Sequence, residues 1–178
     1  MNTLVLAGGG IDSTVCVHLL KANSSPIRLL HVDFGQKAAK QEWTAVQKIA
    51  EHYNCERNQA SITNLNTFSN NTILGRNAAF IFLGLMALHK DEKSICIGIH
   101  SGTNFFDCSD SFFKQAHKIV EEYTDAQVSL IAPLLHLNKQ EIISFAQYKQ
   151  IPIEITYSCQ EGKVPPCGVC HSCKDRRS

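Results

Sequence analysis

Residues 4–16 read LVLAGGGIDSTVC: an apolar run, three consecutive glycines, then Asp12, Ser13 and Thr14 at the head of a helical pattern. A strand, a glycine turn and a helix start make an anion cradle, because the first N–H groups of a helix lack partners within it and carry the positive end of its dipole. Three readings of the loop compete. A Walker loop closes on Gly-Lys-Ser/Thr, but here Ile11 and Asp12 follow Gly10 and the first lysine is Lys21. That reading fails. The dinucleotide fingerprint keeps Gly8-x-Gly10 and finds an acid, Asp33, where a ribose ligand belongs, yet Ser13 stands at its third glycine and Asp12 would aim a carboxylate at the pyrophosphate. A magnesium-bridged pyrophosphate removes that repulsion. Loop amides and the hydroxyls of Ser13 and Thr14 then hold the anion, and Asp12 holds Mg2+. Helix capping alone accounts for Asp12 or Ser13 but not for the glycines before them.

Outward from the loop, strands are expected at 3–7, 27–32, 94–99 and 128–132, with helices at 12–21, 37–52, 77–90, 111–123 and 139–149. Strands alternating with helices give an α/β fold with a parallel sheet and right-handed crossovers. Ligands then collect at the carboxyl ends of the strands, where the glycine loop, Asp33 and the segment from His100 to Asp107 would all fall. The Asn-rich stretch 63–72 reads as a mobile loop.

The chain has 178 residues, 44% hydrophobic and 19% charged, with a formal net charge of +1. That length suits one domain with a real core. The balanced charge gives no pull toward membranes or nucleic acid, and no basic stripe accompanies the cysteines. The apolar stretch 78–88 is about half of the ~20 residues a bilayer span requires and reads as a buried helix, apolar enough to serve a homodimer interface. Met1 runs almost directly into the first strand, so no targeting signal is expected, and a reducing, cytoplasmic setting follows.

Of eight cysteines, Cys159, Cys167, Cys170 and Cys173 fall within fifteen residues, spaced x7, x2, x2. Four soft ligands on short loops suit tetrahedral zinc, a [4Fe–4S] cluster could use the same run, and His171 is a spare ligand. A closed four-thiolate site has no open position, so its role would be structural, pinning the chain's end over the site. Cys16, Cys55 and Cys96 lie in apolar contexts and read as core. Cys108 lies beside Asp107 on the same edge as the loop. Lys139 follows Asn138, a helix cap with Glu141 three residues on, and a cation in a first turn is unfavourable unless an anion sits nearby. Arg76 precedes an almost wholly apolar helix and needs a partner: a phosphate, a substrate carboxylate or a structural ion pair. Among the histidines, His100 has the strongest case.

GGGIDST at 8–14 resembles the SGGxDS loop of the PP-loop ATP pyrophosphatases, which cleave ATP between its α and β phosphates. HVDFGQKAAKQEWTAVQKIAEHYN, ILGRNAAFIFLGLMA, FFDCSDSFF, APLLHLNKQEI and TYSCQEGKVPPCGVCHSCKDRR resemble, in order, segments of the 7-cyano-7-deazaguanine synthases, PP-loop members of the queuosine pathway. The resemblance spans nearly the whole chain. It implies a Rossmann-like fold of the adenine nucleotide alpha hydrolase (HUP) type, with a parallel five-stranded sheet and helices on both faces. The α/β domain would cover 1–155 and a zinc-binding segment 156–178.

In function the resemblance implies a cytoplasmic ligase that adenylates 7-carboxy-7-deazaguanine and converts it with ammonia to the amide and nitrile, releasing AMP and pyrophosphate. Ala7, Gly8, Gly9, Gly10, Asp12, Ser13, Thr14 and Asp33 would bind ATP and Mg2+. Asp12, Ser13, Arg76 and Lys139 would act in catalysis. Phe34, Gln36, Asn77, His100 and Asp107 would bind the deazapurine, and the four cysteines would hold zinc. The sequence also departs from the family pattern: Gly8 replaces a serine, Ser109 replaces an arginine, and the segment before Gly75-Arg76-Asn77 is short. Those changes point to two alternatives. One is a relative in antiviral defence that activates a deazapurine or nucleobase acid for attachment to a macromolecule, with a protein partner. The other is a purine-nucleotide-binding module with little turnover.

Overall fold

A computed structural model describes residues 2–23, 26–64 and 73–176. Five strands, β1 (Asn2–Leu6), β2 (Ile27–Asp33), β3 (Glu56–Ser61), β4 (Glu92–Ile97) and β5 (Ser129–Ile131), form one parallel sheet in the order β3-β2-β1-β4-β5. Between them run α1 (Ile11–Ala22), α2 (Ala39–His52), α3 (Arg76–Met86), α4 (Asp110–Tyr123) and α5 (Lys139–Tyr148), and a short α6 (His171–Asp175) follows. The Rossmann-like α/β fold with five parallel strands and helices on both faces is therefore as expected.

The central strands are apolar on both faces, as a sheet covered on both sides requires. Leu4 of β1 pairs in register with Ile95 of β4, and Ile95 with Leu130 of β5, all fully buried. On one face Val5, Leu29 and Cys96 meet α1, α2 and α5 through Val15, Val46, Ile49 and Ile142. On the other, Leu6, Leu30 and Ile97 meet α3 and α4 through Ile81, Phe112 and Val120. The chain reverses its winding between β1 and β4, which opens a crevice at their carboxyl ends. Gly98 closes the crevice floor: a Cβ there would lie 3.3 Å from Asp12 C and Ser13 N, so the end of β4 abuts the start of α1.

The sequence pattern does not mark β3. Its residues, ERNQAS, are polar, and only Ala60 is even partly covered, because β3 is an edge strand held by its ladder to β2. The helix expected at 77–90 ends at Met86, where the Arg28 guanidinium donates to the Ala87 carbonyl and the chain turns into β4 two residues earlier than expected. That helix is also less buried than its composition implies. Asn77, Ile81 and Gly84 are covered, whereas Phe82 and Met86 are exposed, with Phe82 edge-on to Tyr123 at 6.1 Å. The expected loop at 63–72 lies outside the described residues beyond Asn64. Among the described residues no helix is long and apolar enough to cross a membrane.

At the amino edge of the sheet, Arg28 and Glu92 form a buried two-pronged pair. Nε donates to Oε1 at 2.9 Å and Nη2 to Oε2 at 2.6 Å, and both side chains are about 5% exposed. Asn58 Oδ1 and the Ala87 carbonyl accept two more guanidinium protons, and His89 N–H donates to Glu92. The pair ties β2, β3, β4 and the end of α3 together. Removing one member leaves a buried charge alone, so Glu92→Ala should lower stability by about 3–5 kcal/mol in urea unfolding. The double change Arg28→Met with Glu92→Leu should lose much less.

Candidate functional site

The glycine loop sits where the fold opens. Gly9 has φ +74, and a Cβ on it would lie 2.6 Å from the Glu42 carbonyl and 3.1 Å from Ala45 Cβ, so only glycine lets the loop lie against the first turns of α2. Gly10 is the N-cap of α1 in an extended conformation. Neither Asp12 nor Ser13 caps the helix. The Ser13 and Thr14 hydroxyls turn back onto the Gly10 carbonyl, at 3.2 and 2.8 Å. Thr14 is fully buried, which leaves the loop amides and Ser13 as the donors nearest the surface. Gly8 is exposed, with open space around a would-be Cβ. Ala7, at the end of β1, is buried and its carbonyl accepts from the His31 ring.

Asp12 faces the crevice. Lys139 Nζ donates to its Oδ1 at 2.6 Å, and His100 Nε2 lies 4.0 Å from its Oδ2. The Asn138–Glu141 capping box is present and places Lys139 at the first position of α5. His100 is 9% exposed and its Nδ1 accepts the Gly102 N–H at 3.2 Å, so the ring proton of the neutral form lies on Nε2, toward Asp12. Burial holds the His100 pKa below its ordinary value, Lys139 adds to that effect, and Asp12 and Asp175 oppose it.

A second group gathers at the end of β2 and the start of α3. Asp33 Oδ1 accepts the Gly35 N–H at 2.9 Å, and Gln36 Oε1 accepts the Phe34 N–H at 2.9 Å. Phe34 and Phe80 meet at 5.6 Å between ring centroids, and the Arg76 guanidinium lies 6.0 Å over Phe80. No carboxylate forms an ion pair with Arg76 among the described residues. Asn77 and Asp107 bind each other: the Asn77 N–H donates to Asp107 Oδ2 and Asn77 Nδ2 to the Asp107 carbonyl. That link fixes the segment before α4 against the head of α3. Cys108 is half-buried beside them, and burial raises its thiol pKa. Ser109 is the N-cap of α4, its hydroxyl accepting the Phe112 N–H at 3.1 Å. The sequence pattern does not single out Glu42. It lies in the first turn of α2 and accepts from Gln36 Nε2 at 2.6 Å. No local motif marks it, because its position comes from α2 packing behind the loop.

The sulfur atoms of Cys159, Cys167, Cys170 and Cys173 all lie within 4.8 Å of one another, a cluster that could hold a metal ion. None of the eight cysteines is in a disulfide. Four sulfurs at about 2.3 Å from a tetrahedral zinc lie about 3.8 Å apart, and Cys167 and Cys173 Sγ are 3.9 Å apart. The donor set and spacing therefore fit zinc. Cys167 N–H points at Cys159 Sγ and Cys170 N–H at Cys167 Sγ, as amides do around thiolates. His171 is turned outward and pairs with Asp175. This segment is bound to the glycine loop and to the turn that leads into α2. Tyr157 N–H donates to the Gly9 carbonyl at 2.8 Å, Lys37 pairs with Glu161 at 2.8 Å, and a Cβ on Gly162 would lie 2.2 Å from the Lys37 carbonyl. Arg176 closes it by donating to the Thr156 and Ile153 carbonyls.

A doubly wound parallel sheet with a glycine loop at its switch point, followed by a four-cysteine cluster, defines an α/β protein of the Rossmann-like class. The family model described as "Queuosine biosynthesis protein QueC" matches residues 2–79 and 59–178, so the chain belongs to that family. Two relatives named 7-cyano-7-deazaguanine synthase are similar over nearly the full length. That of Prochlorococcus marinus (strain MIT 9515) is 28% identical, covering 99% of this chain and 92% of its own. That of Campylobacter jejuni subsp. doylei is 27% identical, covering 97% and 90%. Among solved structures, a predicted tRNA methyltransferase subunit from Methanocaldococcus jannaschii has a TM-score of 0.49 at 14% identity, covering 88% of this chain and 92% of its own. The NH3-dependent NAD synthetase of Campylobacter jejuni has a TM-score of 0.42 at 17% identity, covering 86% and 66%. These shallow likenesses carry no functional argument.

Purified protein should hold about one zinc per chain and show no iron–sulfur absorption. Cys170→Ser should release the metal and lower the melting temperature, since a structural site contributes folding energy. A visible iron–sulfur chromophore would overturn the zinc assignment.

Proposed function

We propose that this chain is a cytoplasmic ATP-dependent ligase that adenylates 7-carboxy-7-deazaguanine and converts it with ammonia to the amide and then the nitrile. The observation that carries the reading is the meeting of Asp12 and Lys139 beside the glycine loop, in a chain of this family. The substrate carboxylate attacks the α-phosphorus of ATP, forming an acyl-adenylate and expelling pyrophosphate. Ammonia adds to the acyl carbon, loses a proton and displaces AMP, giving the amide. The amide oxygen attacks the α-phosphorus of a second ATP and expels a second pyrophosphate, and loss of AMP with the two N–H protons gives the nitrile.

The chain's own part is positioning and charge. Loop amides of Gly8 to Gly10 and the start of α1 hold the leaving pyrophosphate, and Ser13 donates to it. Lys139 turns from Asp12 to the phosphates. Asp12 would hold Mg2+, which would neutralise charge on the phosphate oxygens. Arg76, which forms no ion pair with a carboxylate among the described residues, offers a cation to the substrate carboxylate or to phosphate.

The Asp12–Lys139 contact makes a prediction with opposite signs. Lys139→Met should weaken Mg2+–ATP binding, because pyrophosphate charge loses its partner. The same change should tighten binding of Mn2+ alone by roughly tenfold, because a carboxylate previously paired at 2.6 Å becomes free. Calorimetric titration reads both. Unchanged Mn2+ affinity in the variant would remove Asp12 as the metal ligand.

Turnover with ATP, Mg2+, ammonium and 7-carboxy-7-deazaguanine should give AMP, pyrophosphate and the nitrile by mass spectrometry, and ADP as main product would sink the reading. Gly8→Ser should raise the rate, since the site is open and gains a hydroxyl donor. Ser109 favours a second reading. Its hydroxyl is committed to capping α4, so a charge-assisted contact expected of an arginine there is missing. AMP with an adenylated acid or amide and no nitrile would support activation for another acceptor, as in attachment to a macromolecule.

A further inference from the structure

Glu42 is a half-buried carboxylate at the carboxyl edge of the sheet, behind the glycine loop. Its Oε2 accepts from Gln36 Nε2 at 2.6 Å, and no other donor reaches the carboxylate among the described residues. Gln36 cannot turn to offer its oxygen instead, because Oε1 is held by the Phe34 N–H. An ionised carboxylate has about four acceptor positions on its two oxygens, and the protein fills one. Burial raises the Glu42 pKa, while Gln36, His31 and Arg76 pull it down without cancelling that effect. This carboxylate lacks donors.

His31 is also buried. It is 1% exposed, stacks on Trp43 at 5.9 Å between centroids, and its Nδ1 lies 3.0 Å from the Ala7 carbonyl. Among the described residues its Nε2 has no hydrogen-bond partner. Beside the Glu42 carboxylate, Phe34 and Phe80 supply aromatic surface and Arg76 a cation over it. A planar heterocycle with adjacent N–H donors on one edge fits these demands.

We infer that Glu42, positioned by Gln36, reads the ring N–H and exocyclic amino group of a 2-amino-4-oxo deazapurine, and so sets the specificity of this chain for guanine-type over adenine-type bases. The inference rests on the ligase reading above and extends it to recognition of the base. An adenine-type edge sets one amino donor beside a ring-nitrogen acceptor, so it would satisfy one oxygen and repel the other. A guanine-type edge sets two donors side by side. A site built to pair with a substrate N–H rejects the analogue lacking it far more strongly than shape alone would.

Glu42→Gln isolates the effect. The new amide oxygen still accepts from Gln36, so the loop keeps its anchor, while the other oxygen becomes an N–H2 that opposes the donor edge. Calorimetry would titrate wild type and variant with 7-carboxy-7-deazaguanine, with its counterpart lacking the 2-amino group, and with Mg2+–ATP. Wild type should prefer the 2-amino compound, and the variant should bind it roughly 10- to 100-fold more weakly, with the preference largely lost. KM for the deazapurine should rise with kcat little changed, as expected for loss of uniform binding. Unchanged Mg2+–ATP affinity in the variant shows that it is folded. A variant that keeps the 2-amino preference overturns the role of Glu42 while leaving the ligase reading intact. Loss of ATP affinity with intact deazapurine binding would move Glu42 to the nucleotide and also overturn it. If wild type binds neither deazapurine, the ligase reading fails and the inference with it.

Discussion

At Gly9, three parts of the molecule come within bonding distance. The residue adopts φ +74, its α-carbon faces the Glu42 carbonyl so closely that no side chain fits, and its own carbonyl takes the Tyr157 N–H. The first contact fixes the distance from the loop to α2. The second fastens the C-terminal segment to the same residue. An anion cradle works only if its amides are held in place before the anion arrives. Here that rigidity comes from outside the loop, from a helix behind it and a strap beside it.

The strap gives the four cysteines a role without contact with a substrate. The segment from Tyr157 to Cys173 touches Gly9 through a backbone hydrogen bond and Lys37 through an ion pair and the close approach of Gly162. Lys37 adjoins Gln36, and Gln36 carries the link to Glu42. A metal that orders the strap would therefore stiffen both the glycine loop and the Gln36–Glu42 link. The ion pair is solvent-exposed and contributes little energy by itself. Steric fit at Gly9 and Gly162 does more.

The order of elements and the glycine loop were legible in the sequence because each rests on a local signal. The apolar strands, the glycines at 8–10, the Asn138–Glu141 box and the cysteine spacing are all short-range patterns. What the sequence hid depends on contacts distant along the chain. β3 is polar because it lies at the edge, and its place comes from the β2 ladder. α3 is apolar from Ala78 onward yet partly exposed, since composition says nothing about which face finds a neighbour. The Lys139–Asp12 contact joins residues 127 positions apart. Sequence reasoning reached each end from its own local oddity, an acid in a phosphate loop and a lysine at a helix start, without showing that they pair. Glu42 carries no such oddity, since its place follows from α2 packing behind the loop.

The same distinction sorts the departures from the family pattern. At Gly8 the backbone is exposed and a Cβ meets nothing, so a serine or a glycine there leaves the loop's path the same. At Ser109 the change alters local structure. Serine takes the N-cap of α4, a role arginine cannot fill, and a cap of this kind contributes about 1 kcal/mol. Putting arginine back would remove that cap from the head of α4, leaving it to the Asn77–Asp107 link and the Phe106–Phe112 contact. The two sites are thus unequal: one substitution is reversible in place, and the other has been built into the helix that follows it.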